Sequence, residues 1–120
     1  MKGEEKRREI RIFVSLPVIF HGEQDQSENR GDIIDLSLGG MSLKTGIDLK
    51  VNDTIKVKFE IPTEMRFIFL GKIITSRVEN SEKVFGVKFI KQDPVDRLNL
   101  SEYIMQTRSE QEFWIKDNFK

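Results

Sequence analysis

The chain has no cysteine, so disulfides, thiolate metal sites and cysteine nucleophiles are excluded. It has a single histidine, His21, which rules out a multi-histidine metal centre and leaves little for acid–base catalysis. No apolar run approaches the roughly 20 residues that cross a bilayer, so membrane insertion is not expected. The opening stretch, Met1-Lys2-Gly3-Glu4-Glu5-Lys6-Arg7-Arg8, is charged and has no apolar segment behind it that resembles a signal peptide. A cytoplasmic location is the expectation. A surplus of either charge is also lacking, with 20 basic and 20 acidic side chains. Proteins that coat DNA or RNA usually carry a basic excess, so no nucleic-acid partner is expected. Walker-type loops, dinucleotide fingerprints, nucleophile elbows and metal-spaced clusters are absent, and no enzymatic activity is expected.

What is present is enough for one domain. The 120 residues are 38% hydrophobic and 33% charged, as in a soluble domain with a single core. No repeat, low-complexity tract or interdomain linker interrupts them. Residues 1–11 form a polar N-terminal arm in which Lys2, Lys6, Arg7, Arg8 and Arg11 outweigh Glu4, Glu5 and Glu9. That local excess suits one compact anionic ligand better than a long polyanion. The domain proper is expected over 12–120.

Ile12 to Phe20, rich in β-branched and aromatic residues, predicts a first strand, with Pro17 near an edge or a bulge. A polar connection, Gly22 to Gly31, leads to a second strand at about Asp32–Leu36. The Gly39-Gly40 pair predicts a tight turn into a third strand, Met41 to Lys44. Thr54 to Ile61 alternates apolar and polar strictly, the pattern of a strand with one wet face. Phe67 to Val78 predicts a long fifth strand with a bend or bulge at Gly71, and Val84 to Ile90 a sixth. Phe59, Phe67, Phe69, Phe85 and Phe89 fall on the apolar positions and are expected in the core.

The last segment changes period. Asp93 is an expected N-cap, with Pro94 at the first helical position and Asp96 in the first turn. Val95, Leu98, Leu100, Tyr103, Ile104 and Trp114 are expected to form an apolar helix face. The fold class that follows is mainly β: a six-stranded antiparallel barrel with a C-terminal helix from about residue 94. Phe113 and Trp114 are expected to cap the barrel or to form a patch for association. His21, at a strand end, is expected as a loop side chain and not as a catalyst.

Two short motifs carry the chemistry. Arg7-x-x-x-Arg11 precedes the first strand and, taken alone, is a solvated charge run. Asp35-x-Ser37-x-x-Gly40 puts an acid, a hydroxyl and a glycine across the join between the second and third strands. Alternation turns Asp35 and Ser37 to one face. Taken alone, this is an Asx- or Ser-stabilised turn. In this order, with strands between them, the two motifs resemble the signature of the PilZ domain family, RxxxR and [D/N]xSxxG. The resemblance continues through Ser15-Leu16-Pro17-Val18, Gly71-Lys72-Ile73-Ile74, Phe85-Gly86-Val87-Lys88-Phe89 and the helix carrying Leu98 and Tyr103-Ile104. It spans about residues 6 to 106.

The resemblance implies a six-stranded barrel, no catalysis, and a receptor for cyclic di-GMP. Guanidinium is planar, permanently charged and forked, so it binds phosphate or the guanine O6/N7 edge and stacks on bases. That is the role implied for Arg7 and Arg11. A carboxylate matches the donors on guanine's other edge, the role implied for Asp35. Ser37 adds a hydroxyl, Gly40 lets the backbone turn beneath the ligand, and Lys6, Arg8 and Gly39 complete the expected ligand set. Lys6, just ahead of the first arginine, is where this family is thought to set whether one or two ligand molecules bind. The arm is expected to order against the barrel around the ligand and so to present or hide a surface for a downstream protein partner. The competing readings are a barrel that acts only as a protein adaptor and a small barrel that binds single-stranded nucleic acid.

Overall fold

The computed structural model describes residues 9–23 and 27–118. The elements run β1 (Arg11–Gly22), β2 (Asn29–Ser37), β3 (Gly40–Lys44), β4 (Thr54–Glu60), β5 (Arg66–Glu79), β6 (Glu82–Lys91) and α1 (Pro94–Asn118). Every paired neighbour is antiparallel, and the strands close into a barrel in the order β1-β2-β3-β6-β5-β4. The barrel and terminal helix expected from periodicity are therefore the architecture found.

Strand ends reach further than side-chain polarity alone indicates. Asn29, Arg30 and Gly31, expected in a connection, pair with Phe20, Ile19 and Val18. His21, expected in a loop, lies inside β1 opposite Lys56. In both places backbone pairing satisfies N–H and C=O groups that a loop would leave to water, and it overrides the local polar composition.

The inward face follows the predicted alternation. Along β4, Ile55, Val57 and Phe59 are buried while Lys56, Lys58 and Glu60 are exposed. Phe59, Phe67, Phe69 and Phe89 meet with ring centroids 4.7 to 5.9 Å apart. Each fully buried phenylalanine of this kind contributes about 1.5–3 kcal/mol. The five phenylalanines expected in the core are all buried. Pro17 pairs with Asp32 just beyond the reach of β4, whose pairing to β1 starts at Val18, so its missing N–H leaves no gap in that ladder. The β5–β6 register shifts between Leu70 and Gly71, the bulge expected there.

Two further bulges matter more for function. Between Phe13 and Leu16, β1 sets two residues against the single Ile34 of β2. Ile34 is itself extra against β3, where Ile33 pairs with Leu43 and Asp35 with Ser42. Ile33 and Leu36 consequently both point inward although three residues apart, and Asp35 falls on the other face, in register with the exposed Phe13. A bulge re-aims the side chains that follow it.

α1 starts as its capping residues dictate. The Asp93 carboxylate accepts from the N–H of Val95 at 3.0 Å and of Asp96 at 3.3 Å. Leu100 and Ile104 are buried against the barrel, with Tyr103 half-buried beside them. Burial pushes the Tyr103 phenol up from its ordinary pKa. Val95 and Leu98, expected on that same face, are 64% and 61% exposed. At 3.6 residues per turn they lie roughly 140° and 200° round the helix from Leu100, so one stripe cannot hold all of them. Further along, Gln111 Nε2 donates to the carbonyl of Phe13 at 2.9 Å and ties the helix to β1. The side chains of Phe113 and Trp114 lie outside the described residues.

Candidate functional site

The connection between β2 and β3 is held from several sides. Ser37 is fully buried, and its Oγ accepts the Gly40 N–H at 3.1 Å. The same hydroxyl lies 3.2 Å from the Gly40 carbonyl and 3.0 Å from Glu9 Oε1, two acceptors that compete for its one proton. Gly39 O accepts from Phe89 N at 2.8 Å, and Leu38 O from Gln92 Nε2 at 3.0 Å. The turn is thus stitched to β6 and to the segment that leads into the helix.

Gly40 is required by space. A Cβ there would lie 2.2 Å from the carbonyl oxygen of Val87, a backbone atom of the adjacent strand. At Gly39 a Cβ would meet Glu9 Oε2 at 2.5 Å, the end of a flexible side chain that can move away. The Glu9 carboxylate therefore lies directly over the turn, touching Ser37 and Gly39 together.

Beside the turn, the outer faces of β1 and β2 bring four side chains together. Arg11 pairs in register with Ser37, and Phe13 with Asp35. The Arg11 guanidinium donates a charge-assisted hydrogen bond to Asp35 Oδ1. The Arg11 side chain is 45% exposed and that of Asp35 13% exposed, so the pair sits at the surface with the acid the more sheltered member. An ion pair this open contributes little to stability, of order 0–1 kcal/mol.

Of the residues singled out by motif, Arg11, Asp35, Ser37, Gly39 and Gly40 come together at one corner of the barrel. Lys6, Arg7 and Arg8 lie outside the described residues. Arg11, expected on the N-terminal arm, is instead the first residue of β1, so barrel pairing begins one residue before the expected boundary. Two neighbours of the site were not singled out by sequence. Glu9 reads there as one more solvated acid, and nothing local marks it as a partner of Ser37. Phe13 was legible in principle: it stands two residues after Arg11 on a strand, hence on the same face. It is 75% exposed.

A separate hollow of about 1120 Å³ opens at the opposite end of β1, β2, β3 and β6, where Val18, Lys44, Lys58, Phe59, Phe67 and Lys83 are among the lining residues. None of the motif residues lines it. Its charges are largely answered already: Lys44 by Glu82 at 3.2 Å, Arg66 by Glu60 at 3.4 Å and Lys83 by Asp48 at 2.8 Å. The Lys83 ammonium holds the Asp48 carboxyl below its usual range, first through their hydrogen bond and then through charge. An anion entering there would have to break pairs. At the motif corner the Arg11 guanidinium is likewise paired, with Asp35, on the surface beside the turn. Among the described residues no cluster of potential metal ligands occurs, and no helix is long and apolar enough to cross a membrane.

Comparison with known proteins gives one consistent answer. No curated protein matches in sequence. Among solved structures, YcgR of Escherichia coli in complex with c-di-GMP superposes with a TM-score of 0.80 at 19% identity, covering 93% of this chain and 50% of that one. The inhibitor of motility MotI/DgrA of Bacillus subtilis superposes at 0.78 with 14% identity, covering 87% and 52%. The chain thus spans about half the length of each of these two proteins. The PilZ domain of E. coli YcgR with c-di-GMP, taken alone, is matched at 0.72 and 18% identity, with 92% of this chain and 98% of that domain covered. At such identities the likeness establishes a shared fold. The family described as PilZ domain matches residues 5–106, the whole barrel and the first half of the helix, and the chain belongs to that family.

Proposed function

We propose that this chain is a cytoplasmic, non-enzymatic receptor for cyclic di-GMP, which it binds at the corner formed by Arg11, Asp35, Ser37, Gly39 and Gly40, with Lys6, Arg7 and Arg8 completing the site. One observation carries the reading. A surface guanidinium and a sheltered carboxylate, 24 residues apart in sequence, meet on the outer face of two strands directly beside a clamped hydroxyl–glycine turn. Family membership supports it, as do two similar structures described as holding c-di-GMP.

Each residue has a task in this reading. Asp35 accepts the paired N–H donors of a guanine edge, and Arg11 leaves its ion pair to reach phosphate or guanine, through the O6/N7 edge or by stacking on the base. Ser37 and the backbone at Gly40 form the floor. Glu9 must leave Ser37, because its carboxylate occupies the space and the proton that an anionic ligand would use. Expelling Glu9 moves the chain just ahead of β1. That movement is the relay by which binding would reach a downstream protein partner.

Titration calorimetry with cyclic di-GMP, cyclic di-AMP and GTP tests the proposal. The wild-type protein should saturate with the first alone. Arg11→Ala and Asp35→Ala should each abolish the heat while the barrel's unfolding transition stays in place. No heat with any of the three would leave the adaptor reading in possession of the fold.

A further inference from the structure

Phe13 is a large aromatic side chain, 75% exposed on a strand, in a barrel that buries its core phenylalanines almost completely. A single exposed apolar residue needs no explanation by itself. Its surroundings supply one. Phe13 stands in register with Asp35, so their Cβ atoms face each other across β1 and β2 at the roughly 5 Å of a cross-strand pair. Arg11, two residues earlier on β1, shares that outer face and is bonded to the same Asp35.

Two residues along a strand advance about 6.8 Å. Bases stack at about 3.4 Å, so a flat base with a partner on each face needs about 6.8 Å between those partners. The backbone spacing of Arg11 and Phe13 is therefore the spacing that two stacking partners of one base need. Asp35, opposite Phe13 on β2 and bonded to Arg11, carries a carboxylate suited to the guanine N1–H and N2–H₂ edge. Guanidinium, like an aromatic ring, stacks on aromatic planes.

We infer that Phe13 is a ligand-binding residue: its ring is one wall of a guanine slot whose other wall is Arg11 and whose end is Asp35. This rests on the proposal that cyclic di-GMP binds at this corner. It adds a stacking platform to a site otherwise made of charge, hydroxyl and glycine. It also gives the bulge at Val14-Ser15 a purpose. Leu16 resumes inward packing immediately after it, leaving Phe13 as the last residue of the outward Arg11–Phe13 pair.

The test compares Phe13→Ala, Phe13→Leu and Phe13→Trp with wild type for cyclic di-GMP affinity, and follows the guanine H8 resonances of the bound ligand by NMR. Base stacking on an aromatic is worth roughly a 5- to 150-fold change in affinity by alanine substitution. Phe13→Ala and Phe13→Leu should both weaken binding within that range, and Phe13→Trp should bind at least as tightly as wild type. One guanine H8 should move upfield through the ring current in wild type and Phe13→Trp, and should not in Phe13→Leu. Thermal unfolding should be unchanged in all three, since the ring packs on little. If wild type binds while Phe13→Ala and Phe13→Leu bind equally well, or no H8 shift accompanies binding, the slot is wrong and the receptor stands. If wild type does not bind, both fall.

Discussion

Two hairpin turns in this barrel have the same topological task and opposite construction. The β5–β6 turn is Asn80-Ser81, exposed, with φ of 51° and 68°. Positive φ at both central residues matches strand twist in a two-residue hairpin, and nothing beyond backbone geometry is needed to close it. The β2–β3 turn carries a fully buried hydroxyl, a glycine with no room for a Cβ, and bonds to β6, to Gln92 and to Glu9. Closing a hairpin does not require this. In the proposed reading, that surplus of constraint at Ser37–Gly40 holds the shape of the ligand's cradle.

The difference can be broken first at Gly40. A methyl group 2.2 Å from the Val87 carbonyl forces β3 and β6 apart, so Gly40→Ala should lower unfolding free energy by about 3 kcal/mol, read from urea denaturation. A change below about 0.5 kcal/mol would mean that the turn yields easily and is not a fixed cradle. Ser37→Ala should follow at about 2 kcal/mol, because the Gly40 N–H loses its acceptor in a buried position.

Smaller effects sharpen the same contrast. Glu9→Gln keeps the shape over the turn and removes its charge. Cyclic di-GMP should then bind about fivefold tighter by calorimetry, the equivalent of about 1 kcal/mol of relieved like-charge repulsion near the surface. Unchanged affinity would show that the Glu9 charge does not oppose the ligand. At the other hairpin, Ser81→Gly relieves a left-handed side chain and should raise stability by about 0.5 kcal/mol, with no effect on binding.

How much of this was legible depended on whether the signal is local. The alternation from Thr54 to Ile61 and the Asp93-Pro94 helix start are written in neighbouring residues, and both elements appear, the strand ending one residue sooner at Glu60. The Asp35-x-Ser37-x-x-Gly40 spacing located the turn and put its polar groups on one face. Which face was not legible. It is set by the extra residue Ile34, and a bulge is defined by the partner strand, not by the strand that carries it. The contact of Glu9 with Ser37 likewise spans 28 residues and has no local pattern. Val95 and Leu98 show the converse error, apolar residues assigned to the buried stripe on identity alone and found on the other side of the helix.

Hydrogen–deuterium exchange across the whole chain, with and without saturating cyclic di-GMP, tests the central claim most directly. The account predicts slower exchange at residues 9–13 and 35–41, and none at the hollow around Lys58, Phe59 and Phe67. Protection confined to that hollow, with the Ser37–Gly40 turn unaffected, would contradict it.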